Sequence, residues 1–300
     1  MVDGDPQRIG PRTGDGMSMK GKRVLVTGAT DGIGLQAAIR LAAMGASLHI
    51  AGRNPEKLAR ASALVASAAG GPPPATYLAD LSSMAGVRGL AEEVKANCSS
   101  LDVLLNNAGG IFPRREVSAD GLEMTFALDH LSYFLLTHLL LDTLKAAPGR
   151  ARVVNVASDA HRGVRLDLDD LQAERRYSAW RAYQRAKLCN LYFTYELAGR
   201  VDPAQIGVNC LHPGFVASNF GGGAGGVLGW VLGVAKRVAA IAPEKGAETP
   251  VYLCSSPEVE DVSGRYFDKC KEARSSVQSY DEAARKQLWA VSERLTGIMP

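Results

Sequence analysis

The chain has only five cysteines in 300 residues, at positions 98, 189, 210, 254 and 270, and no two of them form a C-x-x-C pair. Such spacing indicates neither a disulfide framework nor a thiolate metal site, and it suits a reducing compartment, so a cytoplasmic location is expected. Charge of one sign is also scarce: 34 basic residues are interspersed with 31 acidic ones, for a formal net charge of +3. A nucleic-acid surface needs a basic tract for phosphate contacts, and none is present. No long charge-free apolar run reads as a membrane span, and the acidic Asp3 and Asp5 do not fit a secretory signal. His130, His138 and His161 lack metal-ligand spacing and read as surface or packing residues. Internal repeats and domain-dividing linkers are absent too. One domain is therefore expected over residues 20–300, behind a tail at 1–19 that reads as disordered or appended.

What is present is an alternation of short apolar runs and helical patterns. Apolar runs lie around Arg23–Thr27, Ser47–Ala51, Ala75–Leu78, Leu101–Leu105, Arg152–Ala157, Ile206–Leu211 and Gly264–Asp268. Helical patterns follow, among them Glu56 to Ala69, a long one from Gly121 to Lys145, Ala179 to Leu197, Pro243 to Cys254 and Ser279 to Leu295. Runs without strict polar alternation suit strands covered on both faces, so the fold class is α/β, a doubly wound parallel sheet flanked by helices. In such sheets ligands bind beyond the carboxyl ends of the strands. Gly28, Gly52-Arg53, Asp80, Asn107-Ala108-Gly109, Ser158 and Pro213-Gly214 all stand just past a predicted strand.

The stretch R-V-L-V-T-G-A-T-D-G-I-G at 23–34 reads as strand, tight turn and helix N-terminus, with glycines at 28, 32 and 34. A turn without side chains lets the backbone approach a pyrophosphate, and the unpaired N–H groups of the first helical turn face its charge. The same glycines would also serve a turn that binds nothing. Arg53 occupies the position after the second strand where an acidic residue would bind the adenosine-ribose hydroxyls; a guanidinium suits a 2′-phosphate, and NADP(H) is preferred over NAD(H). Asp80 has two readings, an acceptor for the adenine amino group or an Asx turn.

Tyr183 and Lys187 form Y-x-x-x-K on one face of a predicted helix, where the ammonium favours the phenolate and lowers the tyrosine pKa toward a range useful for proton transfer. Ser158 lies upstream at a strand end, able to steady a substrate oxygen. The glycine-rich segment at 215–242 reads first as an apolar cover over the substrate, next as a packed helix, and last as a membrane-facing surface.

T-G-A-T-D-G-I-G at 27–34, D-L at 80–81, N-N-A-G at 106–109, Ser158, Y-Q-R-A-K at 183–187 and H-P-G at 212–214 together resemble the short-chain dehydrogenase/reductase family. The resemblance runs from about Lys20 to the C-terminus and implies a single-domain Rossmann fold with a seven-stranded sheet, and hydride transfer between a nicotinamide and a carbonyl or alcohol. By position it implies that Tyr183 is the general acid and base, that Lys187 holds the nicotinamide ribose, and that Ser158 binds the substrate oxygen. Gly28, Thr30, Asp31, Gly32, Ile33, Gly34, Arg53, Asn54, Asp80, Leu81, Asn107, Ala108, Gly109, Pro213, Gly214 and Val216 fall at cofactor-binding positions. The family's catalytic asparagine falls at Asp129, a carboxylate that keeps the shape and can accept a hydrogen bond but not donate one. Activity is expected to survive this change; the alternative is an impaired, nucleotide-binding regulatory or scaffolding protein. D-H-L-S-Y-F-L-L-T at 129–137, S-D-A-H-R at 158–162, G-R-Y-F-D-K-C at 264–270 and L-W-A-V-S-E-R-L at 288–295 resemble the retinol-dehydrogenase-like and WW-domain-oxidoreductase-like branch. That implies an apolar substrate such as a retinoid, steroid or lipid aldehyde. A homodimer or homotetramer paired through the two long helices is implied as well.

Overall fold

The computed structural model describes residues 18–214 and 242–298. The described residues include eight strands: β1 (Arg23–Thr27), β2 (Ser47–Gly52), β3 (Ala75–Leu78), β4 (Val103–Asn106), β5 (Ala151–Val156), β6 (Ile206–His212), β7 (Arg265–Asp268) and β8 (Lys271–Ala273). They form one sheet in the order β3-β2-β1-β4-β5-β6-β7-β8. The seven expected strands pair in parallel, with Leu25 beside Leu104 and Leu104 beside Val153. The seven-strand expectation needs one correction: β8 folds back antiparallel on β7, with Phe267 opposite Glu272. Lys269 and Cys270, the two residues between them, both have positive φ, at 50° and 60°. Tight hairpins want that conformation but usually fill it with Asn or Gly, so Lys-Cys carried no turn signal.

Successive strand residues face opposite sides, and each side has its own core. Val24, Val26, Ile50, Leu105 and Val154 pack with α1 (Gly32–Ala43) and α2 (Pro55–Ala69). Leu25, Leu104, Val153 and Val208 pack on the other side, against α3 (Met84–Asn97) and the helices that follow β4. Burial on both sides explains why the strands read as unbroken apolar runs. Met19, assigned to the tail from its surroundings in sequence, is buried and donates its amide to Met44 O at 2.8 Å, so the folded region includes it.

The long helix expected from Gly121 to Lys145 is interrupted. Glu123 caps α4 (Met124–Phe126) by accepting from Thr125 N and Phe126 N, a π-helical turn (Ala127–Leu131) follows, and α5 (Ser132–Leu139) and α6 (Leu141–Lys145) complete the run. A π turn inserts one residue into the helical ladder and reorients the side chains around it. Beyond β5, α7 (Ala179–Arg200) is a continuous helix. After β6 come α8 (Pro243–Gly246), α9 (Glu248–Ser255) and α10 (Glu282–Thr296). The last helix starts at Glu282 rather than Ser279, because Asp281 caps it by accepting from Ala284 N at 3.0 Å.

Trp289 of α10 lies 5.0 Å from Phe134 and 6.1 Å from Phe193, ring centre to ring centre. One face of α5 and of α7 is thus covered by the chain's own C-terminal helix. All five cysteines are buried and unpaired. Among the described residues no helix is long and apolar enough to cross a membrane, and no cluster of His, Cys, Asp or Glu could hold a metal ion.

His130, in the π turn, is buried between Phe126 and Phe193, with Nε2 3.0 Å from Ser292 Oγ of α10. Burial pushes its imidazole down from 6.5 to about 3. A lowered folded-state pKa means that the neutral ring stabilises the fold fully above the unfolded value and loses that contribution as pH falls toward the folded one. Within that window the loss is about 1.4 kcal/mol per pH unit. His130→Gln is therefore expected to flatten the fall of unfolding free energy between about pH 6 and 4, measured by urea titration; an unchanged slope would show that His130 does not carry the acid sensitivity.

Candidate active site

Parallel pairing brings the carboxyl ends of β1, β2, β4, β5 and β6 to one edge. At the end of β1, Gly28 has φ 64°, and a Cβ there would lie 2.8 Å from Ala108 Cα. The turn is pressed against the segment after β4 too closely for a side chain. Thr27 Oγ1 accepts from Asn107 N at 2.9 Å and Ala108 N at 3.1 Å, while Asn107 Nδ2 donates to Thr27 O at 2.9 Å and Gly28 O at 3.2 Å. The Asn107 side chain is thereby committed to shaping the turn. A Cβ on Gly34 would collide with Asn107 Nδ2 and Gly28 O, and one on Gly52 with the methyl of Thr30. Asp31 accepts from Gly32 N at 2.8 Å and so caps α1, and Ile33 lies in its first turn.

Arg53 stands exposed just past β2. Among the described residues it has no hydrogen-bond or ion-pair partner. Next to it, Asn54 Oδ1 accepts from Lys57 N at 2.8 Å and caps α2. Asp80 Oδ1 accepts from Ser82 N at 3.0 Å and Ser82 Oγ at 2.8 Å, which is the Asx-turn reading, and Leu81 is buried beside it. A turn with glycines at 28, 32 and 34 leading into the N-terminus of α1, and the exposed guanidinium of Arg53, fit the phosphates of a dinucleotide carrying a 2′-phosphate.

The second cluster gathers at the ends of β4 and β5. Ser158 follows β5, and its hydroxyl accepts from Ala160 N at 3.2 Å and hydrogen-bonds the Tyr183 side chain. Lys187, one turn along α7, is 3% exposed; its Nζ lies 3.1 Å from Asp129 Oδ2 and donates to Val156 O at 3.3 Å. Lys187 Nζ is 5.5 Å from the centre of the Tyr183 ring and 5.7 Å from that of Tyr133. Asp129, fully buried, accepts from Gly110 N at 2.8 Å through Oδ1. Gly109 leaves room for this carboxylate, since a Cβ there would come within 2.8 Å of Asp129 Oδ2. Pro213 and Gly214, with φ 87°, follow β6 on the same edge. Val216, and residues 215–241 of the expected substrate segment, lie outside the described residues.

The electrostatics differ from the expectation in one respect. Lys187 and the Ser158 hydrogen bond do lower the Tyr183 pKa, but burial raises it more and the Asp129 charge adds to the rise, so the phenol is held above its ordinary value. Lys187 is raised by Asp129 against the cost of its burial. Burial raises Asp129, opposed by Lys187 and by the Gly110 N–H.

Two residues here were missed in the sequence. His161 approaches Ser158 O at 2.6 Å with Nδ1 and accepts from Ser276 N at 3.0 Å with Nε2. That arrangement fixes the Nδ1–H tautomer and ties the serine's backbone to the segment before α10. Its only sequence signal is the spacing of three after Ser158. Trp180 is 41% exposed and tilted against Tyr183, with ring centres 5.8 Å apart. An isolated tryptophan at a helix start carries no functional signal in sequence.

Removing one member of a buried ion pair strands the other without a counter-charge, at about 3 kcal/mol. Asp129→Ala is expected to lower unfolding free energy by about that amount, and Asp129→Asn by less because the amide still accepts from Gly110 N–H. Urea unfolding of the two variants checks this ordering.

A family model described as short chain dehydrogenase matches residues 22–224. The chain is 36% identical to human retinol dehydrogenase 14 over 320 residues, spanning 97% of this chain and 93% of that protein. Against the WW domain-containing oxidoreductase of Danio rerio it is 36% identical over 304 residues, spanning 97% of this chain and 73% of the relative. Among solved structures, RhlG of Pseudomonas aeruginosa in its NADP active-site complex superposes with a TM-score of 0.65 at 26% identity, over 83% of this chain and 95% of that one. The fold, the match along the sequence and the grouping of Ser158, Tyr183 and Lys187 agree: the chain belongs to the short-chain dehydrogenase family, in the branch of the retinol dehydrogenases and WW-domain oxidoreductases.

Proposed function

We propose that this protein is an NADP(H)-dependent oxidoreductase that interconverts an apolar carbonyl compound and its alcohol, with Tyr183 as the general acid in reduction and the base in oxidation. The observation that carries this reading is the convergence of Ser158, Tyr183 and Lys187 on the sheet edge that also holds the Gly28 turn. The solved NADP complex of RhlG supports the choice of cofactor, as does the exposed guanidinium of Arg53 just past β2.

When bound, the nicotinamide supplies or takes the hydride. The turn at 28–34 and Arg53 would hold the phosphates, Lys187 the nicotinamide ribose, and Ala108, Gly109, Pro213 and Gly214 the walls around it. Ser158 Oγ and the Tyr183 hydroxyl hold the substrate oxygen between them, and the phenol passes its proton to that oxygen as it gains charge. Holding the reacting oxygen in place accounts for much of the rate, because it removes the entropy of a bimolecular encounter. The exposed Trp180 ring beside Tyr183 offers an apolar contact to an incoming substrate, in keeping with the retinol named for a relative. Ser132 to Thr137 of α5 and Ala186 to Thr194 of α7 are buried within one copy, so the pairing of two copies through these helices that family resemblance implies finds little exposed surface there.

A second reading, a regulatory nucleotide-binding protein without efficient turnover, draws on Asp129. Tight NADPH binding with no Tyr183-dependent turnover across a broad carbonyl and alcohol screen would favour it.

Tyr183→Phe is expected to reduce carbonyl reduction by about a hundredfold or more, the usual contribution of a positioned acid. Full activity in that variant would remove Tyr183 from the mechanism. Arg53→Ala should cut the ratio of kcat/KM for NADPH over NADH by about tenfold, equivalent to one charge-assisted contact; an unchanged ratio would show that the guanidinium does not read the 2′-phosphate.

A further inference from the structure

The Asp129–Lys187 pair is the most deeply buried ion pair among the described residues, with side-chain exposures of 0% and 3%. It lies at the centre of the proposed chemistry. An unpaired ammonium beside Tyr183 would stabilise its phenolate strongly in this dry setting. Here the ammonium is matched, 3.1 Å away, by a carboxylate held in place by Gly110 N–H and by the π turn that carries it inward. The charge that Tyr183 feels is that of the pair and not that of lysine alone.

The groups around the phenol come from four elements. Lys187 shares its helix, Ser158 follows β5, Asp129 sits in the π turn, and Tyr133 on α5 is a buried neutral phenol over which Lys187 also lies. Glu123, buried at the start of α4, accepts from Thr125 N and Phe126 N through its two carboxylate oxygens and is near enough to Asp129 for the charge there to raise its pKa, though burial raises it more. Among the described residues, Lys187 is the cation whose charge acts on Tyr183 and Asp129 the anion.

We propose that Asp129 keeps the general acid loaded: by matching the charge of Lys187 it holds the proton on Tyr183 well into the alkaline range, so that carbonyl reduction stays independent of pH where an asparagine at this position would let it decline. This rests on the oxidoreductase reading above. Asp129 acts through Lys187 and is a positioning residue, not one that touches the substrate. The proton balance is simple: reduction moves the proton from the Tyr183 oxygen to the substrate oxygen, and the phenolate left behind recovers it from solvent; oxidation runs the same transfer backward. Matching the lysine charge favours the protonated partner in that exchange. It leaves the overall equilibrium between alcohol and carbonyl untouched and changes the pH at which each direction becomes limited by protonation.

The test compares the wild type with Asp129→Asn, using the pH profile of kcat/KM for reduction and, independently of turnover, the tyrosine Cζ resonances of ring-labelled protein, with the Tyr183 signal assigned by its absence from Tyr183→Phe. The wild-type Tyr183 signal is expected to show no ionisation up to about pH 10, the ordinary tyrosine value. In Asp129→Asn both the signal and the decline of kcat/KM should move down by about one pH unit or more. Identical inflections in the two proteins would overturn the proposal and leave Asp129 a space-filling acceptor. Ionisation of wild-type Tyr183 well below pH 10 would overturn it without recourse to the variant. If neither protein turns over any substrate, the oxidoreductase reading fails, while the resonance titration still decides what Asp129 does to Tyr183.

Discussion

Every functional side chain described above depends on the strands from β3 to β7 running in one direction with their ends nearly level. Parallel pairing turns a set of separate loops into one rim. Thr27 makes the dependence concrete: its hydroxyl takes hydrogen bonds from the backbone of Asn107 and Ala108, so the exit of β1 is joined to the exit of β4. A shift of one residue between those strands would turn Thr27 away from its partners and separate the two halves of the nucleotide turn.

The interior behind this rim is more polar than a sheet core needs to be. Asn106 Nδ2 donates to Thr137 Oγ1 at 3.0 Å and to Asn155 Oδ1 at 2.9 Å, and Asn155 in turn donates to Thr194 Oγ1 at 3.0 Å. The chain of hydrogen bonds runs across β4 and β5 from α5, which follows the π turn of Asp129, to α7, which carries Lys187. Buried polar groups are costly when unmatched and directional when matched. Their effect is to allow only one lateral position of α5 and α7 on the sheet, and the distance between Asp129 and Lys187 follows from that position.

How much of this could be read in the chain depended on how local each determinant is. The strands were legible because burial on both sides leaves an uninterrupted apolar run, and the Gly28 turn because its close approach to Ala108 excludes any other residue. The Tyr183–Lys187 pair follows from helical spacing alone. The π turn did not show, because residues 124–145 are apolar on nearly every face and give no phase from which an inserted residue could be detected. Asp129 was recognisable as a departure from a family pattern, yet its contact with Lys187 joins positions 58 apart and is set by tertiary packing. The net rise of the Tyr183 pKa was missed for the same reason: the lysine effect is local, whereas burial and the Asp129 charge belong to the assembled site. His161 is a packed residue, one of the two readings given for it, but its hydrogen bond from Ser276 N did not show because that partner is distant in sequence.

The short antiparallel strand at the end of the sheet has a different kind of consequence. Without β8, the edge of β7 would present Tyr266, Phe267 and a row of unpaired backbone groups to any extended chain that met it. Lys271 and Glu272, exposed on the strand that covers this edge, place charge where the next ladder would have to form, and three residues are too few to template it. The hairpin at 268–271 therefore works as a terminator, limiting growth of the sheet to a single molecule at the edge far from the nucleotide turn.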